Sequence, residues 1–372
     1  MFSSAAASPR LSARSPNRMN ALALVMIVRD EARSLERCIE SARAWVDEIV
    51  VVDTGSTDAT PEIARRLGAR VGRFAWCDDF SAARNAALAL AEAPWRLVLD
   101  ADEWITAGAD SLAALRGVAP EFLGQISVAS AFDDGQGGVG HAPSWLPRLL
   151  PRGVRYAGRI HEQPQHKLPA RRLQVVLDHD GYRTQALQAK AGRNARLLAE
   201  AIERAPDDAY LLYQAGKDHD VYERWAEAAA AFARSRDCDG TATLHTEGMV
   251  NSTPAWHHDR LVREIHALKK CRRHAEAVHI AEAAMALWPE SPDFFFALGD
   301  LLLDWAAEEP SRARDLLPMI ETAWLRCLEI GERPDLEGAV AGRGSTLAAH
   351  NLAVLYEGTG RPEKAARLRA AH

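Results

Sequence analysis

Three carboxylates fall within four positions of the stretch LVLDADEW at 97–104: Asp100, Asp102 and Glu103. Ionised carboxylates this close raise one another's pKa unless a cation neutralises them, and Mg2+ or Mn2+ prefers oxygen ligands of this kind. One or two protein carboxylates with substrate phosphates completing the shell is the usual Mg2+ arrangement, so an Asp-x-Asp pair suits a nucleotide-diphosphate site. Standing alone, the triplet would fit a solvated turn with helix-capping acids equally well. It does not stand alone, because polar clusters also follow two other apolar runs: RDE at 29–31 and DTGSTD at 53–58.

The elements that must position these clusters alternate. ALALVMIV, DEIVVVD, RVGRFAW and WRLVLD read as strands, and between them ARSLERCIESARAW, TPEIARRLGA and SAARNAALALAEA read as helices. Leu35, Cys38, Ile39, Ala42 and Trp45 sit at helical spacing, with Pro61 near a helix start and Gly68 near its stop. Strand-helix alternation predicts right-handed crossovers and a mainly parallel sheet whose ligands bind beyond the carboxyl ends of the strands. The three polar clusters follow the first, second and fourth strands, so they converge on one crevice. From about 107 to 187 the pattern loosens; QISVASAF, GVRYAGRIHEQ and RRLQVVLDH are strand candidates, and mixed or antiparallel strands are expected there.

Beyond about residue 187 the chain turns to Ala, Glu, Arg and Leu at helical spacing. In RNARLLAEAIERAPDDAYLLYQAGKDHDVYERWAEAAAAFARS the turn-forming PDD separates two periodic stretches, and related pieces recur in AEAVHIAEAAMALWPESPDFFFALGDLL and LAAHNLAVLYEGTGRPEKAARLRAA. This resembles a tetratricopeptide-like helical repeat, broken at 240–256. The domains expected are a disordered tail over 1–19, an α/β domain over 20–187 and an α-helical domain over 188–372.

The chain's 372 residues, 48% hydrophobic and 26% charged, suffice for two domains with full cores. A net charge of -6 offers no broad positive field for nucleic acid or an anionic membrane. Five cysteines without a CxxC pair indicate neither a disulfide framework nor a zinc knuckle, which fits a reducing cytoplasm. The longest apolar run, ALALVMIV, is far short of the roughly 20 residues a membrane crossing requires. The opening MFSSAAASPRLSARSPNR has no acid and no apolar segment, so it reads as unfolded, and Met19 is an alternative start site.

MIVRDEARSLERCIES, DEIVVVDTGSTDAT, WCDDFSAARNAAL, WRLVLDADEW, RYAGRIHEQ and LDHDGY together resemble glycosyltransferase family 2, with the GT-A fold, over roughly residues 20 to 185. With the helical tail, the chain is similar to the branch that includes bacterial peptide S-glycosyltransferases. The resemblance implies a UDP-sugar donor and Mn2+ or Mg2+ as cofactor. It further implies that Arg29, Glu31 and Asp53 hold the nucleoside, that Arg84 lies against the nucleotide, and that Asp100 and Asp102 are the two acids of the DxD motif. Asp102 is then the direct metal ligand and Glu103 supports it.

The family's usual base motif has no plain copy here, and GRIHE takes its place. Glu162 is the candidate base, with His161 or His179 as a further metal or phosphate contact; alternatively His161 only orients a loop and Glu162 pairs with Arg148 or Arg159. Trp104 and Trp145 are candidates for an acceptor groove. VVDTGST resembles an aspartic-protease signature, but a single copy followed by a helix lacks the second aspartate such enzymes need. HEQPQH spaces its histidines five apart around Pro164, which excludes an HExxH zinc helix. No phosphate-binding glycine loop of the GxGxxG or GxxxxGK type follows a strand. Two classes of function are left: a metal-dependent, inverting transferase whose acceptor is first a peptide or protein and second a lipid-linked or saccharide group, and a helical-repeat scaffold with a vestigial transferase domain. Intact Asp53, Arg84, Asp100 and Asp102 favour the first.

Overall fold

The computed structural model describes residues 21–133, 139–179, 184–239 and 254–371. The tail with Met19, the end of LDHDGY and most of the break at 240–256 lie outside the described residues. The first four strands, β1 (Leu22–Val28), β2 (Glu48–Asp53), β3 (Arg70–Arg73) and β4 (Trp95–Val98), are parallel. They are joined by helices α1 (Leu35–Arg43), α2 (Thr60–Arg66) and α3 (Phe80–Leu90). Local chemistry sets each helix. The apolar face of α1 buries Leu35, Cys38, Ile39 and Ala42; Pro61 begins α2, where a missing N–H costs nothing; and Asp79 caps α3 by accepting from the Ala82 N–H at 2.9 Å.

Successive strand residues point to opposite faces, so β1 feeds two cores. Leu22, Leu24 and Met26 pack with α1, while Ala23 and Val25 pack with Ala87 and Leu88 of α3. The parallel register sets Val28 opposite Asp53 and Val25 opposite Val98, so the loops after β1, β2 and β4 open at one edge.

Beyond β4 come β5 (Glu103–Ala107), β6 (Leu123–Asp133), β7 (Val139–Pro151) and β10 (Ala170–His179), completing an eight-stranded sheet of order β3-β2-β1-β4-β7-β6-β10-β5. The β4–β7, β6–β7 and β5–β10 pairs are antiparallel and β6–β10 is parallel, which makes this half of the sheet mixed as expected. The sequence pattern did not predict β5 or β7. β5 is short and begins inside the acidic triplet; β7 carries Pro143, Pro147 and Pro151, which lack a ladder N–H and read as loop. The ladder slips to admit them: Gln125 faces Pro147 but Gly124 faces Leu149, leaving Arg148 as a bulged residue. GVRYAGRIHEQ, expected as one strand, divides into β8 (Arg155–Ala157) and β9 (Gln163–Gln165), antiparallel about a turn where His161 adopts φ 51°.

From residue 184 onward the described residues form helices joined by turns and loops: α4 (Thr184–Arg204), α5 (Ala209–Val221), α6 (Trp225–Cys238), α7 (Trp256–Lys270), α8 (His274–Ala284), α9 (Pro292–Glu308), α10 (Ala313–Ile330), α11 (Thr346–Gly358) and α12 (Pro362–Ala371). The PDD turn works as predicted, Asp208 capping α5 by accepting from the Tyr210 and Leu211 N–H groups. A Cβ at Gly216 of α5 would lie 2.3 Å from Phe232 on α6, so the crossing of these two helices depends on glycine. Tyr213, Phe232, Phe294, Trp324 and Leu352 share one core across the helices. A smaller core of Ile160, Leu197, Leu198, Ala215 and Ala231, with Trp76 and Phe80 packed on it, joins the helices to the sheet. Among the described residues, no helix is long and apolar enough to cross a membrane.

Candidate active site

At the end of β4 the chain leaves the sheet, and Asp100 meets two arginines from elsewhere in the fold. Its Oδ1 accepts from Arg84 Nη2 of α3 at 2.8 Å, and its Oδ2 from Arg148 Nη2 at the β7 bulge, also 2.8 Å. Arg84 Nε also donates to Glu162 Oε1 at 2.5 Å. Arg148 pairs in addition with Glu103, whose other oxygen accepts the Asp100 N–H at 3.0 Å. The β5–β10 register sets His179 opposite Glu103, and this brings His179 Nε2 to 3.4 Å from Asp102 Oδ2. Arg84, Arg148, Asp102 and Glu103 are 8, 8, 7 and 2% exposed, while the Asp100 side chain between them is 33% exposed, so the cluster is buried on its protein side and opens at Asp100. Two guanidinium groups of the chain itself thus offset the repulsion within the acidic triplet.

Burial opposes ionisation of Asp100, yet the two arginines overcome it and hold the carboxyl well below the usual carboxylate range. At Glu103 burial prevails over Arg148 and the carboxyl lies above its ordinary value. Burial disfavours the His179 imidazolium, but the Asp102 hydrogen bond and charge outweigh it and raise the pKa. His161 goes the other way, lowered to about 4 by burial and by Lys217. The Tyr156 phenol, with the Arg84 guanidinium 5.5 Å from its ring, is pushed up to about 12 by burial.

The loops after β1 and β2 form a cross-tied rim beside this cluster. Asp30, at φ 55°, accepts from the Thr57 N–H at 2.6 Å and from its hydroxyl at 3.0 Å, while Asp58 accepts from the Ala32 N–H at 3.0 Å. Asp53, buried at the end of β2, accepts from the Ser56 N–H at 3.1 Å. The Glu31 carboxylate accepts from the Ser34 hydroxyl at 2.7 Å, and its carbonyl takes the Ser34 and Leu35 N–H groups, which begins α1. Arg29 stands on the open rim with its side chain 47% exposed. Of the residues singled out from sequence, the fold gathers Arg84, Asp100 and Glu162 into one ion-paired cluster and Asp102 with His179 beside it. Glu162 pairs with Arg84, not with Arg148 or Arg159. Trp104 lies under the Arg37 guanidinium, 3.4 Å from its ring centre, while Trp145 donates to the Pro334 carbonyl at 3.1 Å and so ties the sheet to the helical half.

Sequence reading gave Arg148 no part in the cluster beyond an alternative partner for Glu162, since the bulge that aims it arises from strand pairing that no local pattern announces. Cys38 of α1 is a second contributor, its thiol donating to the Asp100 carbonyl from beneath at 3.4 Å. Asp102 and His179 set a carboxylate and an imidazole side by side, donor types that divalent ions use. Among the described residues no group of three such donors forms, so a metal there would complete its shell with ligand oxygens.

Residues 23–114 match the family Glycosyl transferase family 2. A TPR repeat-containing protein of Synechococcus elongatus is 37% identical over 214 residues, 53% of this chain and 52% of that protein. The SPbeta prophage-derived glycosyltransferase SunS of Bacillus subtilis is 27% identical over 213 residues, 55% of this chain and 50% of that one. The chain thus spans about half the length of these curated relatives. Among solved structures, YrrB, described as a TPR protein with an unusual peptide-binding site, is 19% identical over 50% of this chain and 78% of its own, at a TM-score of 0.34. The parallel strand ends that gather Asp53, Asp100 and Asp102 thus lie in or beside a segment, residues 23–114, similar to glycosyl transferase family 2, and a tail of paired helices follows it.

Proposed function

We propose that the protein is a metal-dependent, inverting glycosyltransferase that moves a sugar from a UDP-sugar to a peptide or protein acceptor. The observation that carries this reading is the ion-paired cluster of Arg84, Asp100 and Glu162, with Asp102 and His179 beside it, at the strand ends where Asp53 also lies. Arg29, Glu31 and Asp53 bind the nucleoside, and Arg84 faces the diphosphate. The donor set fits a divalent ion: Asp102 and His179 would hold Mn2+ or Mg2+, the imidazole nitrogen favouring Mn2+. When bound, the ion supplies positive charge to the departing diphosphate.

Glu162 is the base. Its Oε1 is fixed by Arg84, and among the described residues its Oε2 has no hydrogen bond, so one oxygen is oriented and the other is left for the acceptor's proton. The acceptor atom attacks the anomeric carbon as the bond to the diphosphate oxygen breaks, and the proton passes to Glu162. The helical domain borders this side: Gln163, next to Glu162, donates to the Tyr210 hydroxyl of α5 at 2.8 Å. Helical repeats commonly bind extended peptides, which favours a peptide or protein acceptor.

Thermal melting with UDP and Mn2+ tests the reading. A UDP-dependent rise in Tm that grows with Mn2+ supports it; no shift with any nucleoside diphosphate would leave the helical-repeat scaffold.

A further inference from the structure

We infer that Arg84 and Arg148 together form a seat for the donor's diphosphate, with Asp100 as their shared anchor rather than a metal ligand. The inference rests on the transferase reading above and assigns Arg148 a contact with the ligand.

The first ground is the orientation of the two guanidinium groups. Each gives one Nη2 to a different oxygen of Asp100, both at 2.8 Å, so the carboxylate fixes two planar forks at once. Each Asp100 oxygen thereby accepts from one arginine, while the carboxylate as a whole stays 33% exposed at the strand end. Asp102, one turn of chain later, faces His179 instead.

A second ground is unsatisfied donors. Arg84 Nη1 and Arg148 Nε are buried and have no hydrogen-bond partner among the described residues. Buried guanidinium N–H groups left without acceptors are costly, and these two lie on the residues that bond Asp100 just beyond the end of β4. Phosphate oxygens match them in charge and geometry, and guanidinium recognises them with parallel N–H groups.

The bulge in β7 supplies a third ground. Regular pairing would set Arg148 in the ladder opposite β6; the extra residue takes it out of register and turns it to the strand end where Asp100 lies. Bulges of this kind commonly re-aim a side chain beside an active site.

Charge balance explains how such a seat stays folded. Asp100, Glu103 and Glu162 surround the two arginines, so no excess positive charge is buried. The two orphan N–H groups are on nitrogens other than those bonded to Asp100, so a diphosphate that displaces the atoms covering them leaves the Asp100 contacts in place.

Titration calorimetry of uridine, UMP and UDP in Mn2+ buffer, on the full chain and on Arg148→Gln and Arg148→Lys, separates the outcomes. The seat predicts that Arg148→Gln weakens UDP about tenfold or more, as loss of a charge-assisted hydrogen bond implies, and leaves uridine within about twofold. Arg148→Lys should recover part of the loss, since it restores the charge without the fork. If Arg148→Gln alone does not fold, the double variant with Glu103→Gln removes the acid along with its partner and reads the same ratio. Equal losses for UDP and uridine, or none for UDP, would overturn the seat while leaving the transferase reading intact. If wild type binds neither UDP nor any other nucleoside diphosphate, the transferase reading falls first and takes the seat with it.

Discussion

Arg84 Nε lies 2.5 Å from Glu162 Oε1 while the same guanidinium holds Asp100, so the candidate base and the first DxD acid share one buried cation. Glu162→Gln keeps an oxygen to accept from Arg84 but removes the basic carboxylate. Transfer should then fall roughly 10²- to 10⁴-fold with UDP affinity little changed. Progress curves with a UDP-sugar beside calorimetry of UDP would check this; unimpaired turnover in the variant would remove Glu162 from the chemistry.

How much of this was legible in sequence depends on whether the signal was local. The strands β1 to β4 and helices α1 to α3 could be read because the apolar period that forms each lies within a dozen residues. Asp100, Asp102 and Asp53 followed from strand ends. Arg84 and Glu162, 78 positions apart, meet only because the β8–β9 turn folds back over α3, and no spacing encodes that. Arg148 was masked by its own neighbours: Pro147 and Pro151 made β7 look like loop, yet the bulge beside Pro147 is what delivers the arginine. The helical pairs were visible where a Pro or Gly break separated them, as at PDD. α7 was not singled out because it begins inside the break at 240–256, and α10 because Pro318 lies within it, where a proline reads as a helix stop.

Asp102 and His179 should govern response to metal. Removing either donor, by Asp102→Asn or His179→Ala, should weaken Mn2+ binding in the presence of UDP at least roughly tenfold, the lower bound for losing even a supporting partner of a metal site. A proton on His179 competes with a metal, and Asp102 raises its pKa, so Mn2+ affinity in the wild type should climb as pH rises through that raised value. Mn2+ affinity unchanged in both variants would place the metal elsewhere.

The segment between α10 and α11 fastens the two halves of the chain together. Trp145 and Arg172 of the sheet donate to the Pro334 and Asp335 carbonyls, and the His258 ring hydrogen-bonds the Glu337 carbonyl at 2.7 Å. Gly338 allows this path: it has φ +74°, and a Cβ there would fall 2.1 Å from Asp259 Oδ1, which is itself fixed by Arg263 at 2.9 Å. Gly338→Ala should therefore cost about 1–3 kcal/mol and open the segment to protease. A melting curve and a cleavage pattern identical to wild type would contradict the tie.

Buried histidines held neutral by the fold, His161, His257 and His266 among them, oppose folding in acid. His161 beside the candidate base and His266 of α7 are both lowered to about 4, chiefly by burial, with Lys217 adding to the first and Lys269 and Lys270 to the second. His266 meets Trp225 edge to face, with ring centres 5.4 Å apart. In the unfolded chain each would titrate near 6.5, so between about pH 6.5 and 4 the unfolded state binds protons that the folded state refuses. Stability is then complete above that window and is lost as pH falls through it. The carboxylates most depressed in the fold, Asp100 and Asp259, lose their contribution only below the window. The double variant His161→Gln with His266→Gln should accordingly lose roughly 5 °C less in Tm than wild type between pH 7 and 4.5. Parallel Tm-against-pH curves for the two proteins would show that the acid sensitivity lies in other groups.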